Sequence, residues 1–204
     1  METAKFDGEQ LDILSEVGNM TVGQAATSLG NFMNKLVNIT IPNTKVYTYG
    51  ELKKEFQESI IATQIDYVDG FVGSNLLMIN EQDAMKFSHY ITKEKLGIDE
   101  PFEGWNDLSK SALAEIFNIM VGNMSSGMSN IFNRHVTIDV PHLYLDMNDY
   151  KNPFTDDEIL VAIWFDIRVE GDFSIRIVNI VSTSQAEAML KIIKGEETDE
   201  EDES

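Results

Sequence analysis

Residues 12–42 read DILSEVGNMTVGQAATSLGNFMNKLVNITIP, and residues 111–141, SALAEIFNIMVGNMSSGMSNIFNRHVTIDVP, repeat their pattern. Asp12, Glu16, Asn19 and Pro42 correspond to Ser111, Glu115, Asn118 and Pro141, with three, two and twenty-two intervening residues in both copies. The surroundings match as well: Leu14, Val17, Val22 and Gly23 stand where Leu113, Ile116, Val121 and Gly122 stand in the second copy. Such a repeat points to internal duplication. The expected fold class is α+β, a pseudo-two-fold duplicated domain with long helices packed on antiparallel β-sheet.

The first copy is helical from Leu11 to Asn34, because Leu14, Val17, Ala25, Leu29, Phe32 and Met33 approximate helical spacing. Asp7 or Asp12 lies near its start to meet the helix dipole. Gly18, Gly23 and Gly30 lower the propensity of that helix, so packing must hold it, and helical glycines often mark the close approach of another backbone. With Asp12 at zero and about 100° per residue, Glu16 falls near 40° and Asn19 near −20°, while Leu14 and Val17 fall near 200° and 140°. The polar trio shares a stripe and the apolar residues face away. Ser111, Glu115 and Asn118 give the same wheel, with Leu113 and Ile116 behind it. Phe117 departs from the repeat where the first copy has Gly18; its ring either packs inward or narrows access to the second stripe.

Working outward, Val37–Ile41 alternates as a strand that stops at Pro42, and Val46–Tyr49 reads as a short strand followed by a helical turn over Leu52–Phe56. Ile60–Val68 and Phe71–Ile79 form a hairpin meeting at Asp69-Gly70. A helix over Glu81–Ile91 closes the first half, and Lys93–Gly104, with Gly97 and Pro101, links it to the second. The order then recurs: a helix from about 106 to 133, a strand over Val136–Val140 ending at Pro141, a hairpin of Ile159–Val169 and Phe173–Val181 about Glu170-Gly171, and a helix over Ser184–Ile193. These boundaries give one domain over 1–194 made of halves at about 8–92 and 106–194. Residues 195–204 carry seven acids and no base, and read as a disordered acidic tail.

The charge of −20 opposes nucleic-acid phosphates and anionic lipid, and removing the tail's seven acids still leaves about −13. With no cysteine among 204 residues, disulfides and thiolate chemistry are excluded. No apolar run approaches the roughly 18 residues of a membrane span, and residues 1–10 lack the apolar core of a secretory signal. A cytoplasmic location is therefore expected. His89, His135 and His142 have no second ligand at metal spacing; Asp146, Asn148 and Asp149 lack the glycine and terminal glutamate of a calcium loop. Trp105 and Trp164 are assigned to the core.

The repeated stripe offers one carboxylate and one carboxamide per half, with no nucleophile and no histidine beside them. Those groups suit a solvated polar face, a docking surface, or a site that completes itself on a partner: a carboxylate binds a lysine, and a carboxamide holds a water in line for attack on phosphorus. The residues alone leave these three open.

Both copies nevertheless resemble the motif of the CheC-type chemotaxis phosphatases (CheC, CheX and FliY): Asp or Ser, three residues, Glu, two residues, Asn, twenty-two residues, Pro. The resemblance covers essentially the whole chain, and two complete motifs with no added domain fit CheC better than FliY. It implies a protein phosphatase that hydrolyses the phosphorylated aspartate of the response regulator CheY. Glu16 and Glu115 would contact the regulator's active-site lysine, and Asn19 and Asn118 would orient the attacking water. The protein would need no cofactor of its own, the Mg2+ coming with the regulator; the deamidase CheD is a further implied partner.

Overall fold

The computed structural model describes residues 5–56, 59–71, 73–99, 103–147, 149–151, 154–171 and 173–196, and of Ile41 and Pro42 only the backbone. Two 26-residue helices, α1 (Gly8–Met33) and α4 (Asp107–Phe132), correspond to the two copies of the repeat. Each begins with a reciprocal capping box, Asp7 with Gln10 and Asn106 with Ser109. Each ends on an asparagine in the left-handed region, Asn34 (φ 54°) and Asn133 (φ 50°). The caps satisfy the end groups that a helix otherwise leaves open, at about 1 kcal/mol for a good N-cap. Both helices thus have fixed ends, 99 positions apart in the two halves.

The remaining elements are β1 (Val37–Thr48), α2 (Tyr49–Glu55), β2 (Ile60–Asp69), β3 (Ser74–Asn80), α3 (Glu81–Leu96), β4 (Thr137–Ile138), β5 (His142–Tyr144), β6 (Ile159–Val169), β7 (Phe173–Ser182) and α5 (Thr183–Lys194). Among the described residues the strands form one antiparallel seven-stranded sheet in the order β1-β6-β7-β3-β2-β4, with β5 also on β2. Exchanging the halves reverses this order onto itself, which is the expected pseudo-two-fold symmetry. The first strand of each half pairs with the hairpin of the other half: β1 with β6, and β4 and β5 with β2. α3 packs on α4 and α5 on α1, another exchange between halves.

Pleating divides the core. Val161, Ile163, Phe165, Ile167 and Val169 of β6 face the helix layer, where Leu14, Val17, Leu29, Ile116, Phe117 and Val121 meet them in one cluster. Leu160 and Ala162 face the other side, beneath Tyr49 and Leu52 of α2 and Tyr150.

Several expected boundaries are corrected. The strand entered at Val37 does not stop at Pro42; it runs to Thr48 and absorbs the separate strand expected at Val46–Tyr49, with its register against β6 shifting between Thr40 and Asn43. Proline cannot donate to a ladder, and a bulge accommodates it without ending the strand. In the second half the break is complete: only Thr137 and Ile138 pair before Pro141, Val140 is exposed, and pairing resumes at His142. The first hairpin is looser than Asp69-Gly70 implies, since β3 starts at Ser74. Phe71 leaves the strand to stack on Phe132 of α4 (centroids 5.8 Å) and meet Tyr67 edge-on (5.1 Å). α3 continues to Leu96, well into the expected linker, whose residues 100–102 lie outside the described set. Of the acidic tail, 197–204 also lie outside it.

Candidate functional site

α1 and α4 each turn one polar stripe to solvent. Asp12, Glu16 and Asn19 are exposed on α1, as are Ser111, Glu115 and Asn118 on α4. Beneath them Leu14, Val17 and Val22 in one half and Leu113, Ile116 and Val121 in the other are buried. The apolar arc anchors each helix to the sheet and neighbouring helices, which dictates the direction of the stripe. Phe117 is 1% exposed, so its ring belongs to the core below the second stripe rather than above it.

None of Glu16, Asn19, Glu115 and Asn118 has a hydrogen-bond or ion-pair partner among the described residues. The backbone below is tied down. Beside Glu16, the Ser15 hydroxyl donates to Thr44 Oγ1 at 2.6 Å, fixing α1 to β1. Ser28 Oγ donates to Asn123 Oδ1 at 2.7 Å, and Asn123 Nδ2 donates to the Ile119 carbonyl at 2.6 Å, joining α1 to α4. At the crossing Gly127 lies against Thr21, where an added Cβ would stand 2.8 Å from the Thr21 Cα.

Thr21 meets Gly127 and Ser28 meets Asn123, so the helices run in opposite senses. Asn19 and Asn118 lie on opposite sides of the crossing, on the order of 15–20 Å apart along the helices from the 1.5 Å rise per residue. The arrangement offers two separate sites.

Both stripes also run one step further than the motif. Gly23 and Gly122 are exposed four residues after the asparagines, and four residues beyond them the exposed Thr27 and Ser126 donate back to the glycine carbonyls at 3.3 and 3.1 Å. Reading the motif residues alone missed Thr27 and Ser126. Continuing the four-residue step past Gly23 and Gly122 would have found them.

No group of three or more His, Cys, Asp and Glu residues poised for a metal ion occurs among the described residues. His135 and Thr137 share a hydrogen bond at 2.9 Å, and His142 packs on Tyr144. Asp149 donates its backbone N–H to the Asp146 carbonyl in a turn; Asn148 lies outside the described residues. The tryptophans sit at the rim of the core rather than within it: Trp105 Nε1 donates to Glu81 at 2.8 Å, and Trp164 stacks on Phe56 in a cleft of about 570 Å³ whose described lining includes none of Glu16, Asn19, Glu115 and Asn118. No described helix is long and apolar enough to cross a membrane.

The profile of the CheC-like family matches residues 9–46 and 108–145, one segment in each half and each containing a stripe. The repeated segments are CheC-like. Flagellar motor switch phosphatase FliY of Bacillus subtilis is 29% identical over 197 residues, covering 95% of this chain and 51% of FliY. CheY-P phosphatase CheC of the same organism is 28% identical over 145 residues, covering 68% of each protein. The X-ray structure of Thermotoga maritima FliY shares the fold, with a TM-score of 0.81, 20% identity, and coverage of 95% of this chain and 100% of that one. The chain spans about half the length of the FliY relative. The likeness to FliY extends over more of the chain than the likeness to CheC, so these similarities give no preference for CheC over FliY.

Proposed function

We propose that this CheC-like chain is a protein aspartyl-phosphate phosphatase acting on the phosphorylated response regulator CheY of chemotaxis. The observation that carries the reading is the pair of idle stripes: in both halves an exposed Glu and Asn, without intramolecular partners among the described residues, stand on a capped helix whose other face is locked in the core. Side chains already engaged in holding the fold could not be lent to a partner. The curated relatives CheC and FliY are both named phosphatases, which supports the same reading.

Glu16 and Glu115 dock the regulator by accepting a charge-assisted hydrogen bond from its active-site lysine. Asn19 and Asn118 hold a water with amide donor and acceptor together, aligned for attack on phosphorus. The water oxygen forms the new P–O bond, the bond to the aspartyl oxygen breaks, and a free carboxylate and inorganic phosphate leave, with the water's proton passing to phosphate or solvent. The regulator brings the acyl phosphate and Mg2+, which neutralises the phosphoryl charge.

Changing Asn19 and Asn118 to Ala together should lower the rate of phosphate release from phosphorylated regulator by 100-fold or more, following the scale of losing a key catalytic hydrogen-bonding group. Each single change should leave the activity of one site. Full activity in the double variant would refute the water-orienting role.

A second reading is an adaptor of the chemotaxis and flagellar switch system that binds CheY, or CheD, without hydrolysis as its main task; the FliY relative's name, flagellar motor switch phosphatase, supports it. Under it, Glu16→Lys with Glu115→Lys abolishes regulator binding, while the asparagine variants keep the biological effect.

A further inference from the structure

A glycine inside a helix costs about 1 kcal/mol relative to alanine, so its retention needs a reason. Gly127 has one in the Thr21 backbone, and Gly30 has another in the Lys35 carbonyl, 3.0 Å from where its Cβ would lie. Gly23 and Gly122 have no such reason within the described residues. Both are exposed in mid-helix, neither has a positive φ, and beyond its own stretch of helix a Cβ added at either meets nothing within 4 Å among the described residues. They occupy equivalent places in the repeat. At about 20° on the wheel that places Asp12 at zero, Gly23 falls between Glu16 and Asn19, one turn further along.

We infer that Gly23 and Gly122 are the points of closest approach for the docked regulator, kept bare so that its backbone can settle onto the helix. The inference rests on the reading above, that each stripe receives a phosphorylated regulator. Asparagine is short, and a water it orients lies about 3 Å from its amide, so the phosphoryl centre must come close to the helix surface. A methyl group one turn away would project about 1.5 Å further than glycine into that contact. The same bareness explains why helix stability is given up twice at equivalent positions. Gly23 and Gly122 thus act as positioning residues, which set the distance at which Asn19 and Asn118 work.

The test compares the full chain with the double variant Gly23→Ala, Gly122→Ala. Affinity for a regulator carrying fluoroberyllate, a non-hydrolysable mimic of the aspartyl phosphate, is measured by calorimetric titration, and thermal unfolding is followed without partner. The expected result is a raised unfolding midpoint together with affinity weakened tenfold or more. Unchanged affinity would overturn the inference, as would a lowered midpoint, which would show that the fold itself needs the glycines. Failure of the unaltered protein to bind the regulator would overturn it together with the docking reading. Loss of affinity in the glycine variant, with no phosphate release by the unaltered protein, would refute hydrolysis and leave the inference standing.

Discussion

Asp166 and Arg176 face one another across β6 and β7, and the guanidinium grips the carboxylate twice, Nε to Oδ1 at 2.7 Å and Nη2 to Oδ2 at 3.1 Å. The hydrogen bonds to Arg176 hold the Asp166 carboxyl below the usual carboxylate range against an opposing effect of burial. A depressed folded-state pKa contributes stability above the unfolded value and loses it as pH falls through the folded one. Arg176→Met should therefore cost about 0.5–1 kcal/mol at neutral pH, the range for a partly exposed pair, and this difference should narrow below about pH 4. Urea midpoints for the two proteins between pH 7 and pH 3 check this; a gap that widens toward acid would refute it. Glu16 and Asn19 contrast with this pair. The ion pair is engaged in holding two strands, whereas the stripe residues are unengaged among the described residues.

The helix crossing shows how identical residue types acquire different roles from their neighbours. Gly127 has no freedom, because the Thr21 Cα lies 2.8 Å from any Cβ placed there and backbone cannot swing aside as a side-chain tip can. Gly127→Ala should push α4 from α1 and cost about 1–3 kcal/mol in denaturant unfolding, the scale of overpacking, despite the gain in helix propensity. A midpoint equal to or above that of the unaltered protein would show that the crossing yields. The helical pattern of 12–34 and its repeat were legible in the sequence because apolar spacing is local. The paths through Pro42 and of Phe71 were not: the β1 register depends on β6, more than 110 residues later, and Phe71 turns inward because Phe132 offers a ring to stack upon.

At the scale of the molecule, the halves are joined by exchange. β1 pairs with β6 of the second half, β4 and β5 with β2 of the first, and the closing helices α3 and α5 lie on the long helix of the opposite half. Neither half has a complete sheet of its own. Residues 1–99 and 103–204 produced as separate chains should each lack a cooperative unfolding transition, and mixing them should restore one; cooperative folding of either piece alone would refute this dependence. The duplicated motif was visible in the sequence alone because equal spacing survives in the linear chain. So was the direction of each polar stripe, because 3.6 residues per turn relates spacing directly to face. What only the tertiary structure decided was long-range: which strand each half lends to the other, where Phe117 and the two tryptophans come to rest, and which helical glycine touches a neighbour. Those outcomes depend on surfaces brought together across the whole chain, and local propensity carries no information about them.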